Sequence, residues 1–144
     1  MMGSLHLVAR VGGCGLLFDA ERVDSVVEVA ATVPAPGAGP AVIGLAAMRS
    51  RVATVLDVRP LFGAPPVARD GQGGHAVATI VDGHLYAIAV DALEDVATFT
   101  LGTAPASLGA ASDWDFVTGV ADGASETLLA VDLDRLVARA SAMD

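Results

Sequence analysis

An all-β fold is predicted, built from two related halves of about five short strands each, with short helical turns and a short C-terminal helix. Two pairs of repeated segments and the alternation of apolar residues within them carry this reading. AVIGLAAMRSRVATVLDVRPLF, residues 41–62, is echoed by FVTGVADGASETLLAVDLDRLV, residues 116–137. Val42, Gly44 and Ala46 meet Val117, Gly119 and Ala121, while Asp57, Leu61 and Phe62 meet Asp132, Leu136 and Val137. VGGCGLLFDAERVDSV, residues 11–26, likewise sets Gly13, Leu16, Phe18, Val23 and Val26 against Gly83, Tyr86, Ile88, Leu93 and Val96. Two copies make a pseudo-symmetric domain, because a solenoid needs at least three.

The first strand is expected over Leu5–Val11, where Leu5, Leu7, Ala9 and Val11 alternate with His6, Val8 and Arg10, a period-two pattern that predicts one buried face. Gly12 and Gly13 supply a tight turn, and Gly15–Asp19 returns. A helical turn over Ala20–Ser25 leads to a third strand, Val26–Val29. Thr32–Pro40 reads as a Pro and Gly loop, since proline restricts itself and its predecessor. The central hairpin follows, Val42–Met48 and Val52–Val58.

Gly63–Gly74, with Pro65 and Pro66, is expected as an exposed hinge between the halves of a single 144-residue domain. In the second half, Ala76–Val81 turns at Asp82 and Gly83 into Leu85–Val90, and another strand is expected near Asp95–Phe99. After a loop over Thr100–Asp115 come Phe116–Ala121 and Thr127–Val131, joined at Gly123. A helix from Leu133 to about Ala142 would bury Leu133, Leu136, Val137 and Ala140 on one face.

Composition narrows the function. The chain is 53% apolar and 17% charged, enough to bury a real core, and Ala and Val in place of aromatics suit tight, short-stranded barrels better than a large ligand cavity. A net charge of −9 argues against nucleic acid, whose phosphates need clustered cations. Lysine is absent, so arginine carries all fixed positive charge, and arginine is over-used at interfaces. The single cysteine, Cys14, excludes an internal disulfide and any multi-cysteine zinc site and favours a reducing compartment. No signal peptide is visible, and the longest uncharged run, Val29–Met48, is broken by Pro34, Pro36 and Pro40 and cannot be a membrane helix.

Chemistry is sparse. His6, His75 and His84 are scattered without ligand spacing, and structural or solvated roles are expected for them. Asp113 with Asp115, and Asp132 with Asp134, are acid pairs better read as capping and loop residues, Asp132 repeating Asp57 as a strand-ending cap. Ser4, Ser25, Ser107 and Ser112 have no nucleophile setting. Cys14, in an apolar strand without a nearby base, reads as a small buried residue. No catalysis, cofactor or metal is expected, which leaves an interaction protein.

GLAAMRSRVATVLDVRPLFG resembles the motif of CheW-like domains, in which a glycine precedes a strand ending in Arg-Gly and the next strand ends in Asp-Leu-Arg; Gly44, Arg49, Asp57 and Arg59 match it. VDSVVEVAATVP, AVDALEDVATF and LLAVDLDRLV resemble further segments in family order, so the resemblance runs from about Leu5 to Val137. Ser50 stands where the family has glycine, Ala47 where it often has asparagine, and Thr54 where proline is common.

The resemblance implies two intertwined five-stranded SH3-like barrels and a non-catalytic bacterial cytoplasmic scaffold. Such a scaffold couples the cytoplasmic tip of a methyl-accepting chemoreceptor to the regulatory domain of a CheA-type histidine kinase, reaching membrane receptor arrays through these partners. By motif position, Arg49 and Gly44 are similar to the family's receptor and kinase-coupling positions, and Val26 and Glu28 to its kinase-contact strand. The pattern also admits Glu28 as a solvated strand residue, Gly44 as a backbone-packing glycine and Val26 as core. Two alternatives stay open: a CheW-like module of another chemosensory-type pathway, such as twitching motility or development, and a small-molecule-binding or enzymatic β-barrel.

Overall fold

The computed structural model describes residues 3–29, 32–34, 39–48, 50–65, 74–103, 115–123 and 126–142. Strands β1 (Ser4–Val11) and β2 (Cys14–Asp19) form a hairpin whose turn residues, Gly12 and Gly13, have φ of +59° and +85°. Strands β6 (Gly74–Val81) and β7 (His84–Val90) repeat it, with Asp82 and Gly83 at +52° and +78°. Positive φ at both central residues marks the turn whose twist matches that of paired strands, and Gly and Asp tolerate it.

The other strands are β3 (Ser25–Val29), β4 (Val42–Met48), β5 (Arg51–Leu56), β8 (Ala92–Phe99), β9 (Val117–Asp122) and β10 (Thr127–Val131). Helix α1 spans Leu133–Ser141, and 3-10 turns occupy Ala20–Arg22 and Arg59–Phe62. Two five-stranded sheets result, in the orders β8-β1-β2-β10-β9 and β3-β6-β7-β5-β4. Replacing each strand of one order by its repeat mate gives the other, so the internal duplication holds strand by strand.

The register repeats too. In the parallel pair β10 and β2, Leu129 faces Leu16; in β5 and β7, Thr54 faces Tyr86. Leu7 faces Val96 as Val77 faces Val26. Each sheet closes toward a barrel by an isolated bridge, Val33 to Leu45 in one and Gly102 to Val120 in the other. Asp57 and Asp132 also match, their amides donating at 2.7 Å to the carbonyls of Ala41 and Phe116.

Neither barrel is one half of the sequence. The first holds β1 and β2 with β8, β9 and β10; the second holds β3, β4 and β5 with β6 and β7. The chain crosses between barrels twice, at the 3-10 turn Ala20–Arg22 and at Asp91, between β7 and β8. Most of the segment expected as a hinge, residues 63–74, lies outside the described residues, and the strands on either side of it, β5 and β6, belong to the same sheet.

Three apolar clusters follow from this arrangement. The largest lies between the barrels and draws Leu7, Val11 and Phe18 from the first, Leu56, Val77 and Ile88 from the second, and Leu136 from α1. The barrel interiors hold the others, Val8, Leu17, Leu128 and Ala130 in one, Ala53, Val55, Ala76, Ala78 and Ala87 in the other. The one-faced burial expected of β1 is therefore corrected: His6 and Val8 are as buried as Leu7 and Ala9, whereas Leu5 is exposed. A strand shared between a barrel interior and the inter-barrel core has no water-facing side over its middle.

Helix α1 buries Leu133, Leu136, Val137 and Ala140, as its periodicity predicts, and its cap Asp132 accepts from the amide of Arg135 at 3.0 Å. Cys14, expected to be buried, is only half-buried against the inter-barrel core, and burial pushes its thiol pKa up. Strand β8 begins at Ala92, ahead of the stretch expected near Asp95–Phe99. Its Glu94, Asp95 and Val96 are exposed because it is the outer strand of its sheet, where polar residues need no covering.

Candidate functional site

The β3 edge is the best-formed candidate surface. Ser25–Val29 pairs on one side with β6 and is the outer strand of its sheet order. Val26 is 45% exposed and Glu28 is exposed, while Val27 and Val29 turn inward onto the alanine-rich interior of the second barrel. Val26 and Glu28 therefore share the outer face of one edge strand, opposite Val77 and His75. Exposure separates Val26 from the core positions it resembles by pattern.

The β4–β5 hairpin lies close by. Its last pair is Met48 with Arg51, and the Arg51 guanidinium donates to the Asp24 carboxylate at 3.2 Å, tying the hairpin to the residue that precedes β3. Arg49, the candidate coupling residue at the hairpin tip, lies outside the described residues.

Gly44 has a backbone reason to be glycine. A Cβ there would meet the carbonyl oxygen of Val33 at 2.6 Å, under the bridge in which Val33 and Leu45 exchange backbone hydrogen bonds of 2.9 and 2.8 Å. Its repeat mate Gly119 sits under the equivalent bridge, a Cβ there falling 3.0 Å from the carbonyl oxygen of Gly102. Barrel closure explains why both copies keep the residue.

Sequence reading missed a matching edge on the other barrel. Val96, mate of Val26, is 53% exposed, and Leu5, on the same face of the β1–β8 pair, is 50% exposed. The signal was the alignment of Val26 with Val96; what it lacked was which of the repeated valines the fold covers.

The described arginines serve mainly to bind the frame. Arg22, in the first crossover, holds Asp134 of α1 with two contacts of 2.8 and 3.0 Å and donates to the Ile80 carbonyl. Arg59 pairs with Asp91 in the second crossover, whose other carboxylate oxygen accepts from the Gly12 amide at 2.8 Å. Arg10 pairs with Glu126 and, at 3.3 Å, Glu94. Arg139 pairs with Asp115, the one described member of the Asp113 and Asp115 couple, since Asp113 lies outside the described residues.

These pairs predict an acid response. Hydrogen bonding from Arg10 holds the Glu126 carboxyl below its ordinary value of 4.5, and Arg22 does the same for Asp134, ordinarily 3.8. A carboxylate whose folded pKa is depressed stabilises the fold above its unfolded pKa, and that stabilisation is lost as pH falls through the folded value. The melting temperature is expected to be flat down to about pH 5 and to decline below about pH 4. The decline should be shallower in Glu126→Gln and reduced by salt, since both pairs are partly exposed. Calorimetric scans against pH check this; an unchanged acid slope in Glu126→Gln would remove that pair from the account.

Chemical clusters are lacking in the described part of the chain. Among the described residues no three His, Cys, Asp or Glu side chains are grouped to hold a metal ion. His6 is buried in the first barrel, His75 is exposed on β6, and His84 is within 2.8 Å of the Thr54 hydroxyl. No helix among the described residues is long and apolar enough to cross a membrane.

Comparison with known proteins agrees with this architecture. Curated proteins provide no sequence match. Among solved structures, the chain is similar to the scaffolding protein TtCheW from Thermoanaerobacter tengcongensis, with a TM-score of 0.77 at 18% identity over 94% of this chain and 88% of that one. That likeness establishes the fold: two curled five-stranded sheets with one short C-terminal helix. The model of the CheW-like domain matches residues 6–141, which take in both barrels and α1, and the chain belongs to the CheW-like domain family.

Proposed function

We propose that this protein is a non-catalytic adaptor of bacterial chemotaxis that couples the cytoplasmic tip of a methyl-accepting chemoreceptor to the regulatory domain of a CheA-type histidine kinase. The observation that carries the reading is the CheW-like match across both barrels. The exposed β3 edge and the description of TtCheW as a scaffolding protein support it. The adaptor works in the cytoplasm, joins receptor arrays through its partners and uses no cofactor. Residues 1–144 act as a single domain.

In this reading Val26 and Glu28 form the kinase-facing edge. Arg49 reaches the receptor from the β4–β5 hairpin, and Gly44 contributes by letting the closing bridge sit against β4, which sets where that hairpin starts. Arg51, anchored to Asp24, links the two surfaces.

Arg49→Ala is the direct test. Its melting temperature should move little, since surface substitutions usually change stability by less than about 0.5 kcal/mol. Receptor-dependent activation of the kinase in a reconstituted assay should fall, since an interface arginine commonly contributes more than about 1 kcal/mol. A variant that unfolds readily yet couples normally when folded would identify Arg49 as a structural residue and move the receptor site elsewhere.

A further inference from the structure

We propose that the end of the first barrel is a binding site for a small organic ammonium ion, a property separate from the adaptor role. A cavity of about 310 Å³ opens there, lined by Ser4, His6, Asp19, Arg22, Thr118 and Asp132 among others. Its volume lies at the lower end of the range for small-molecule sites.

His6 is the unusual member. It is only 4% exposed, and its Nδ1 lies 2.9 Å from the Ser4 carbonyl oxygen. A carbonyl only accepts, so Nδ1 carries the hydrogen, and in the neutral ring Nε2 is left as a lone-pair acceptor. Nε2 has no partner among the described residues. Yet no buried side-chain nitrogen or oxygen among them lacks one, so Nε2 keeps access to open space, and the cavity is lined by His6. The remaining ring contact is apolar, edge to face with Phe99.

The duplication provides an internal control. At the matching end of the second barrel, Ser4, His6, Asp19, Arg22 and Thr118 are replaced by Gly74, Ala76, Ala89, Ala92 and Ile43. Ala76 is fully buried there, with Ile43 packed on its cluster. The same fold thus closes this end with small and apolar residues, apart from Asp57, which repeats Asp132 as a strand-ending residue, and nothing in the strand pairing demands the histidine or Asp19.

The charge around Nε2 decides the ligand class. Asp19 is the direct cross-strand partner of His6, so the two side chains leave the same face of the sheet. One oxygen of Asp19 accepts from the Glu21 amide and one of Asp132 from the Arg135 amide, leaving each carboxylate a second oxygen. Arg22, held by Asp134 and the Ile80 carbonyl, shares its one positive charge among Asp134, Asp132 and Asp19, so the surroundings stay net negative. Two carboxylates in the lining, one of them directly across from His6, call for a compact cation with several N–H donors, which a primary ammonium supplies.

Titration of the folded protein with ethylenediamine at neutral pH, followed by amide and imidazole NMR, tests this, with ethylene glycol as the neutral counterpart. Saturable shifts confined to His6, Asp19, Thr118 and their neighbours are expected at concentrations up to about 10 mM, with no comparable response to the glycol. Asp19→Asn and His6→Ala, the latter copying the second barrel's own residue, should each weaken binding by about tenfold. Absence of saturable shifts in the wild-type protein overturns the site without needing any variant. Equal binding of the glycol overturns the ammonium assignment, and undiminished affinity in both folded variants overturns the role of these residues. Kinase coupling is not part of the readout, so either outcome leaves the adaptor reading where it stood.

Discussion

Phe116→Ala should cost about 3–5 kcal/mol of folding stability and weaken both barrels in a single transition. Phe116 is fully buried in the cluster between the barrels, where its ring meets Phe62 edge to face with centroids 5.4 Å apart. Phe62 comes from the first half of the chain and Phe116 from the second, so truncation opens a cavity that neither half can fill alone. The backbone is engaged as well, since the Phe116 carbonyl accepts from the Asp132 amide at the start of α1. The two barrels are joined by the chain at Ala20–Arg22 and again at Asp91 and share the cluster in which Phe116 sits, so loss of that cluster is felt on both sides. Urea unfolding followed by far-ultraviolet circular dichroism and by NMR of residues in each barrel should give coincident midpoints, shifted together in the variant. Separate midpoints for β1 and β6 would show that the barrels are independent folding units and that residues 1–144 are not a single cooperative domain.

Val26→Arg should weaken association with the kinase regulatory domain by several kcal/mol while leaving the fold intact, because a wrong charge in a desolvated contact is costly. Val26 is nearly half exposed on an outer strand, so the new guanidinium can remain solvated in the free protein. Its cost arises only when a partner covers the edge. Glu28→Lys, two residues along the same exposed face, should act in the same direction with a larger salt dependence. Titration calorimetry against the isolated regulatory domain is the measurement, with circular dichroism to confirm folding. Unchanged affinity in both variants would take the β3 edge out of the interface.

Much of the candidate surface was visible in the residues. The resemblance of VDSVVEVAATVP pointed to Val26 and Glu28, and the structure places both on one exposed face. Gly44 was also singled out, but its repeat in Gly119 already favoured packing, and the close approach of the Val33 carbonyl supplies the reason. What could not be read was any pairing across long sequence distance. Arg10 and Glu126, Arg22 and Asp134, and Arg59 and Asp91 are brought together only by the tertiary fold, and no local spacing encodes them. His6 was placed among scattered histidines, since nothing nearby signals that β1 is covered on both sides.

Local chemistry by itself determined the hairpins, the turns at Gly12–Gly13 and Asp82–Gly83, the apolar face of α1 and the duplication, because each depends on backbone freedom or periodicity within a few residues. Tertiary structure decided which strands share a barrel, which repeated valine is exposed and why His6 and Val8 are buried. The physical reason is that alternation records that a side chain faces apolar surroundings, while the identity of the covering surface depends on strands that arrive from the other half of the chain. In this protein the two crossovers bring those strands together, giving β1 two cores at once and leaving β3 with an open edge.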